Sequence, residues 1–381
     1  MKRSGLLAAS LRLLLLLLVM LLTAWTSAAW AMSQTLPASS ENRTSGDTVK
    51  ESTDDTGMLE EWWERREGGY YTVRVDSSGK LLTYTTLELQ PGDIYVASDN
   101  TTYEVKRGVG DDIFVEEKGK AKLPDLDDDL MERLREELKA EVSRPLTRES
   151  PLVGIYFTHS DESYRPSSGM TSETPRGDVY RVGEALGDGL RRQGVRVDVR
   201  EETHVPHDGL AYHRSRATVR KLLTQMPALL IDIHRDAVPP DIYTTNVGGR
   251  TATRVRIVVG RQNHQRELNF DFAKRLKAVA DRLFPDLVLD IFFGYGNYNQ
   301  DVGPRSVLLE FGTVDNSLDQ AMVAAELFSK VIPAAAGLGP NVTRPETAVG
   351  LRYIWIALAL LAVVGGGFLF FYRINRLPGR Q

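Results

Sequence analysis

Between Val153 and Ala335 short runs of apolar, mostly β-branched residues alternate with longer amphipathic stretches, and that alternation is the strongest constraint on the fold. The apolar runs are VGIYFT (153–158), VRVDV (195–199), ALLIDI (228–233), RVRIVVG (254–260), LVLDIFF (287–293) and SVLLEF (306–311). A strand with one wet face alternates apolar and polar residues, so runs this continuous belong to strands covered on both sides. The intervening stretches fit helices near 178–193, 210–226, 266–283 and 318–335. In the first, Val179, Val182, Leu186 and Leu190 share one face, and Gly194 is placed to stop it. In the second, Val219, Leu222, Leu223 and Met226 face inward. Strands alternating with helices in this way imply an α/β fold, a mostly parallel sheet with helices on both faces.

The residues before and after this region differ in kind. Residues 59–123 contain YYTVRV, KLLTYTTLEL, DIYVAS and TYEVKR, which alternate at strand spacing and are punctuated by Ser77-Ser78-Gly79, Pro91-Gly92-Asp93 and Asp99-Asn100. They read as a small, mostly β module without a cluster of chemical groups. Residues 124–149 are a charged helical connector to the 150–336 domain, and 32–58 are a polar spacer too poor in apolar residues to bury a core. Residues 1–31 open with two cations, continue as a leucine-rich stretch and end on Ala29-Trp30-Ala31, the layout of a signal peptide or N-terminal anchor. After a linker at 337–352, the unbroken apolar segment 353–372 is close to the ~20 residues of a transmembrane helix. Tyr353, Trp355 and Tyr372 sit at its borders, and the 373–381 tail carries Arg373, Arg376 and Arg380, which places the tail in the cytoplasm. The expectation is a protein of the cell membrane, flanked by membrane segments, with its folded body on the extracytoplasmic side.

Composition narrows the chemistry. There is no cysteine, so disulfides, thiolate metal sites and a thiol nucleophile are excluded, and any transition metal must be held by histidine and carboxylate. The 47 basic and 51 acidic residues give a net charge of -4, which argues against a nucleic-acid partner. No G-x-S-x-G stretch occurs, which disfavours a Ser-His-Asp hydrolase.

In open α/β sheets ligands collect beyond the carboxyl ends of the strands. His159 follows VGIYFT, His234 follows ALLIDI, and Glu310 ends SVLLE, so three chemically competent side chains fall on that edge. His159, Glu162 and His234 make a His₂Glu set for Zn2+, a ligand combination that leaves a fourth position for water. Glu310 is then the catalytic acid and base, with Asp232, Arg235 and Asp236 as orienting groups or substrate contacts. Each has a plainer explanation, since a histidine at a strand end also serves as a hydrogen-bonded loop residue and loops abound in glutamate. His204, His207, His213 and His264 are alternative ligands, and the His204/His207 pair in THVPHDGLAYHRS is a candidate second site.

The order of THSDESY, VGEALGDGLRRQGVRV, THVPHD with AYHRSRATVRKLL, DIHRDAVP, VRIVVGRQN and YNQDVGPRSVLLEFGTVDNSLDQA resembles the stage II sporulation protein P family over roughly residues 150–333. The resemblance implies a zinc-dependent N-acetylmuramoyl-L-alanine amidase acting on peptidoglycan, with cleavage of peptide cross-links as well, during engulfment in sporulation. It implies stage II sporulation proteins D and M as partners. It matches His159 and His234 to metal ligands and Glu310 to the catalytic glutamate. Related amidases place their glutamate ligand at the start of the following helix, where TPRGDVY offers Arg176 and Gly177 instead. Glu162 is the nearest substitute, with Glu173 a second choice. The contrasting reading is a non-catalytic wall-binding protein that recruits other hydrolases, which has no need of Glu310.

Overall fold

The computed structural model describes residues 69–140 and 144–338. The expected leader, the spacer, the linker beyond residue 338, the apolar segment 353–372 and the basic tail lie outside these residues. Among the described residues, no helix is long and apolar enough to cross a membrane.

Strands β1 (Tyr71–Val75), β2 (Leu81–Thr85), β3 (Ile94–Val96), β4 (Thr101–Val109) and β5 (Asp112–Lys120) come first, followed by helix α1 (Asp128–Lys139). Asp127 caps α1 by accepting the Leu130 N–H, and Met131 is its buried residue. The α/β region then runs β6 (Leu152–Tyr156), α2 (Val179–Arg192), β7 (Arg196–Val199), α3 (Ala211–Leu223) and β8 (Leu229–Asp236). A hairpin of β9 (Thr244–Val247) and β10 (Arg250–Thr253) precedes β11 (Val255–Gly260), α4 (Arg266–Leu283), β12 (Val288–Gly294), β13 (Ser306–Thr313) and α5 (Leu318–Ala336). Every apolar run of the 153–335 stretch is a strand. Two of them run past their apolar residues: β8 continues through His234 to Asp236, and β13 continues through Glu310 to Thr313.

The strands form one sheet in the order β2-β1-β5-β4-β3-β12-β11-β13-β8-β6-β7. The sheet is mixed rather than mostly parallel. β7, β6, β8 and β13 are mutually parallel, but β11 runs antiparallel to β13, and β3 runs antiparallel to β12. The cause is visible in the connection from β8, where the β9–β10 hairpin replaces a crossover helix and returns the chain in the opposite direction. The strands of the expected β module do not stand apart from the α/β sheet, because Ile94–Val96 pairs with Ile291–Phe293 and continues it.

Side chains alternate between the two faces of a strand, and here residue parity sorts them. Odd-numbered Ile155, Ile231, Ile233, Ile257, Val259, Ile291 and Leu309 join residues of α2, α4 and α5 in one large apolar core. Burying each such side chain is worth roughly 1.5–3 kcal/mol. The even-numbered face is covered differently. Tyr156 and Leu230 pack on Val219 and Leu222 of α3, while Val258, Phe292 and Leu308 pack with Val73, Tyr95, Val105 and Val115 from the early strands. Helices thus cover one face fully and the other only in part, with β-strand side chains supplying the remainder.

Candidate metal centre

The parallel strands β6, β8 and β13 place their carboxyl ends on one edge, and the polar residues there lie on the even-numbered face. Glu310 pairs in register with His234, Arg256 with Glu310, and Asp290 with Arg256. Adjacent strands lie ~4.8 Å apart, so these four residues form a charged row across the sheet. All are buried, with exposures of 0% for Asp290, 0% for Arg256, 3% for Glu310 and 0% for His234.

Beyond β6 the chain enters the THSDES loop. The Thr158 N–H donates to Asp232 Oδ1 at 2.8 Å and its hydroxyl to Asp232 Oδ2 at 2.6 Å, which ties the loop to β8. His159 consequently sits against His234, with ring centroids 4.9 Å apart and planes at 80°. The loop then turns Glu162 back between them. Glu162 Oε1 lies 3.4 Å from His159 Nδ1 and 3.7 Å from His234 Nδ1. Its Oε2 accepts the Arg235 N–H at 2.9 Å. The Arg235 guanidinium lies 3.8 Å from Oε1 and donates to the carbonyls of Ser163 and Thr171, so it pins both ends of the loop. Gly177, in the TPRGDVY stretch, is pressed against this loop. A Cβ there would lie 2.0 Å from the Glu162 carbonyl oxygen, so no side chain fits. Glu173 is exposed, whereas Glu162 is 2% exposed.

The electrostatics favour a cation. Burial by itself would raise the Glu162 carboxyl, but the charges of His234 and Arg235 and the contact with His159 outweigh it and hold Glu162 well below the usual carboxylate range. Burial would likewise lower His234, yet Asp232 and Glu162 outweigh it and raise the imidazole well above its ordinary value. His234 Nε2 is 3.2 Å from Asp232 Oδ1, leaving Nδ1 toward Glu162, and neither ring nitrogen forms a hydrogen bond among the described residues. Two imidazoles and one carboxylate, with a second carboxylate behind one imidazole, match the donor set and outer shell of a borderline divalent ion such as zinc. The residues present therefore fit such an ion.

The remaining residues separate cleanly. Asp232 and Arg235 hold His234, the loop and Glu162, as described. Asp236 lies further along β8 and accepts from Thr86 Oγ1 at 3.0 Å, Tyr243 OH at 2.9 Å and Arg256 Nη1 at 2.5 Å. Arg256 also donates to both oxygens of Asp290, to Thr83 Oγ1 and to the Tyr84 carbonyl, so the early strands reach the charged row. His204 and His207 form no second site. His204 Nδ1 is 2.7 Å from the Phe157 carbonyl and Nε2 is 2.9 Å from Thr218 Oγ1, so the ring donates through Nδ1 and accepts at Nε2. Burial holds His204 below the ordinary histidine value, consistent with this neutral bridging role. His207 points the other way and stacks on His159 at 4.0 Å between centroids. Among the described residues, the set whose ligand atoms all lie within 4.8 Å of one another is His159, Glu162 and His207, with His207 where the sequence reading placed His234, which reaches Glu162 Oε1 at 3.7 Å. His213 and His264 are exposed.

Three residues at or near the centre were not singled out by sequence pattern. Tyr212 of α3, 1% exposed, edges His159 at 5.5 Å and lies parallel to His234 at 6.3 Å. Arg256 and Asp290 are ionic residues inside the apolar runs RVRIVVG and LVLDIFF, and that interruption was the available signal.

A model of the family described as Stage II sporulation protein P (SpoIIP) matches residues 92–333, more than half of the chain. The stage II sporulation protein P of Bacillus subtilis (strain 168) is 33% identical over 210 residues, covering 49% of this chain and 52% of that protein. The chain thus spans about half the length of this curated relative. Among solved structures, the CwlD amidase of Clostridioides difficile in complex with the GerS lipoprotein is similar at 12% identity and a TM-score of 0.35, covering 49% of this chain and 98% of that one. The N-acetylmuramyl-L-alanine amidase Ami1 of Mycobacterium smegmatis is similar at 17% identity and a TM-score of 0.33, covering 49% and 96%. Likenesses that distant carry no functional argument.

Proposed function

The chain belongs to the stage II sporulation protein P family, and on that premise we propose that it is a peptidoglycan hydrolase, a zinc-dependent N-acetylmuramoyl-L-alanine amidase. One observation carries the reading: Glu162 Oε1 lies within 3.4 Å and 3.7 Å of two buried imidazole nitrogens, with Glu310 in register beside His234. His159, Glu162 and His234 would hold the ion. When bound there, zinc supplies Lewis acidity that brings water toward a pKa of ~7 and polarises the scissile carbonyl.

The chain's own groups do the rest. Glu310 accepts the proton of water as its oxygen attacks the lactyl carbonyl carbon. It then delivers that proton to the alanine nitrogen as the C–N bond breaks. Asp232 fixes the His234 ring from behind, and Arg235 keeps Glu162 ionised and oriented. Tyr212 closes the wall over both imidazoles and restricts bulk water.

The test is digestion of purified peptidoglycan by the full chain and by Glu310→Gln. New alanine N-termini from the wild type and none from the variant support the amidase. Cleaved cross-bridges alone would move the activity to an endopeptidase, and undigested wall with both proteins would favour the wall-binding reading. We further propose that segment 353–372 anchors the protein with its folded body outside the cytoplasm. If residues 1–31 are a cleaved signal peptide, deleting 353–381 should release the protein to the medium, and retention of the truncated chain in membranes would contradict that cleavage.

A further inference from the structure

We propose that the end of the domain opposite the candidate metal centre rests on a lipid bilayer, with Met226 and Leu268 set among the headgroups. This rests on the reading of 353–372 as a membrane anchor and adds to it an orientation.

The strands that carry the centre begin at a groove. β8 starts at Leu229 and β13 at Ser306, and both residues line a cavity of about 810 Å³ together with Leu223, Leu268, Phe272 and Leu338. His234 lies five residues along β8 from Leu229. At ~3.3 Å per residue the centre is therefore about 17 Å from this end.

The rim of the groove is apolar and exposed. Met226 is 87% exposed, the highest value among the exposed large apolar side chains of the described residues, and Leu268 is 55% exposed. One exposed apolar side chain is ordinary. Two that flank a cavity with apolar walls outline a contact surface. Met226 also has a φ of 51°, in the left-handed region where glycine or asparagine is at home. A long, adaptable apolar side chain is thus kept at a strained, exposed turn where glycine would serve the fold better.

The path of the chain names what covers this surface. Leu338 lines the groove, and its N–H donates to the Pro333 carbonyl at 2.8 Å. Arg275 of α4 and Arg305, just before β13, donate to the carbonyls of Ala335 and Ala336 at the end of α5. The chain therefore leaves the domain at a fixed point on the groove wall. Only 14 residues separate Leu338 from Tyr353, where the apolar segment begins. A coil of that length spans about 20 Å, so the groove is held close to the bilayer that segment would enter. Charge agrees with lipid as the occupant. Arg275 and Arg305 line the groove against one acid, Asp271, and Arg220 is exposed in the last turn of α3 just before Met226. Cations beside exposed apolar side chains suit a surface of anionic headgroups over acyl chains. In this pose the carboxyl ends of β6, β8 and β13 point away from the lipid, where a wall polymer would lie.

The chain contains no cysteine, so single thiols can be introduced into the full chain and labelled cleanly. Met226→Cys, Leu268→Cys, Met170→Cys and Ala362→Cys, each carrying an environment-sensitive fluorophore, are reconstituted into vesicles of phosphatidylethanolamine and phosphatidylglycerol with and without brominated acyl chains. Met170 is 49% exposed and adjoins Thr171, whose carbonyl Arg235 holds at the catalytic edge, while Ala362 lies in the middle of the apolar segment. Labels at positions 226 and 268 are expected to shift to the blue and lose emission to bromine, and the label at 170 to do neither. Emission lost at 362 but at neither 226 nor 268 overturns the proposal and leaves the anchor standing. A blue shift at 226 and 268 without quenching also overturns it, because protein, either a second copy or residues 339–352, then fills the groove. Equal quenching at 170 and 226 overturns it as well, since the domain then shows the bilayer no preferred end. Unquenched emission at 362 overturns the anchor itself, and the orientation with it.

Discussion

The two faces of the central sheet solve different problems with the same strands. The odd-numbered face is apolar except for Arg235 and Thr313 at the strand ends, and it lies under α2, α4 and α5. The even-numbered face carries Asp232, His234, Asp236, Arg256, Asp290 and Glu310, all buried, under one helix and the early strands. The first face supplies stability through burial that tolerates no voids but needs no particular chemistry. The second places at least six ionisable groups out of water, where each is costly unless paired. Ion pairs offset that cost: Arg256 pairs with Asp236 and Asp290 and His234 with Asp232, while in the adjoining loop Glu162 pairs with Arg235. The helix-covered face makes the sheet stable, and the other face gathers its buried ionisable groups.

The sharpest way to break that division is Glu310→Gln, nearly isosteric and confined to the reactive face. Hydrolysis is expected to fall by about 10²–10⁴-fold, the usual contribution of a general acid–base group, with Tm close to wild type. A large fall in Tm with activity retained would reverse the assignment. Next in size is Arg256→Met, which strands Asp236 and Asp290 as buried, unpaired charges and should cost about 3–5 kcal/mol in chemical denaturation. Burial already pushes the Asp290 carboxyl up despite the Arg256 charge beside it, so removing that charge should drive Asp290 to protonate. The destabilisation of Arg256→Met should therefore shrink as the pH is lowered toward the raised Asp290 pKa, and a loss independent of pH would mean packing dominates. On the other face, Ile257→Ala should cost about 2–5 kcal/mol through an apolar cavity while the rate per folded molecule is unchanged. A rate loss there would show that the faces are not independent. The smallest effect is expected for Thr86→Val, which removes one hydrogen bond to Asp236 and should cost about 1 kcal/mol.

Much of this was legible in the sequence, for identifiable reasons. The strands and helices of 153–335 were readable because buried strands have a composition that helices and loops do not share, although the second helix ends at Leu223 and Met226, expected to face inward, is 87% exposed. His159, His234 and Glu310 were readable because polar residues at the ends of apolar runs fall on one edge of a parallel sheet. What escaped depends on register. Arg256 and Asp290 interrupt their apolar runs, but only strand order reveals that they lie in register with each other and with Glu310. His207 sits three residues from His204 in the same loop, and spacing alone does not say that one ring turns inward to the backbone while the other turns to His159. The direction of β11 also escaped, because a hairpin in place of a crossover leaves no mark on the apolar run that follows. The pairing of β3 with β12 is likewise invisible, since the edge a strand joins is set by tertiary contacts rather than by its residues.

That last pairing has a practical consequence. Ile94–Val96 is the neighbour that covers Ile291–Phe293 on the flank away from β11. A shortened protein starting near residue 150 would keep every proposed ligand yet leave an apolar strand with bare N–H and C=O groups along its outer side. Such a border recruits other chains into intermolecular sheets, so the fragment should precipitate or self-associate where the longer chain does not.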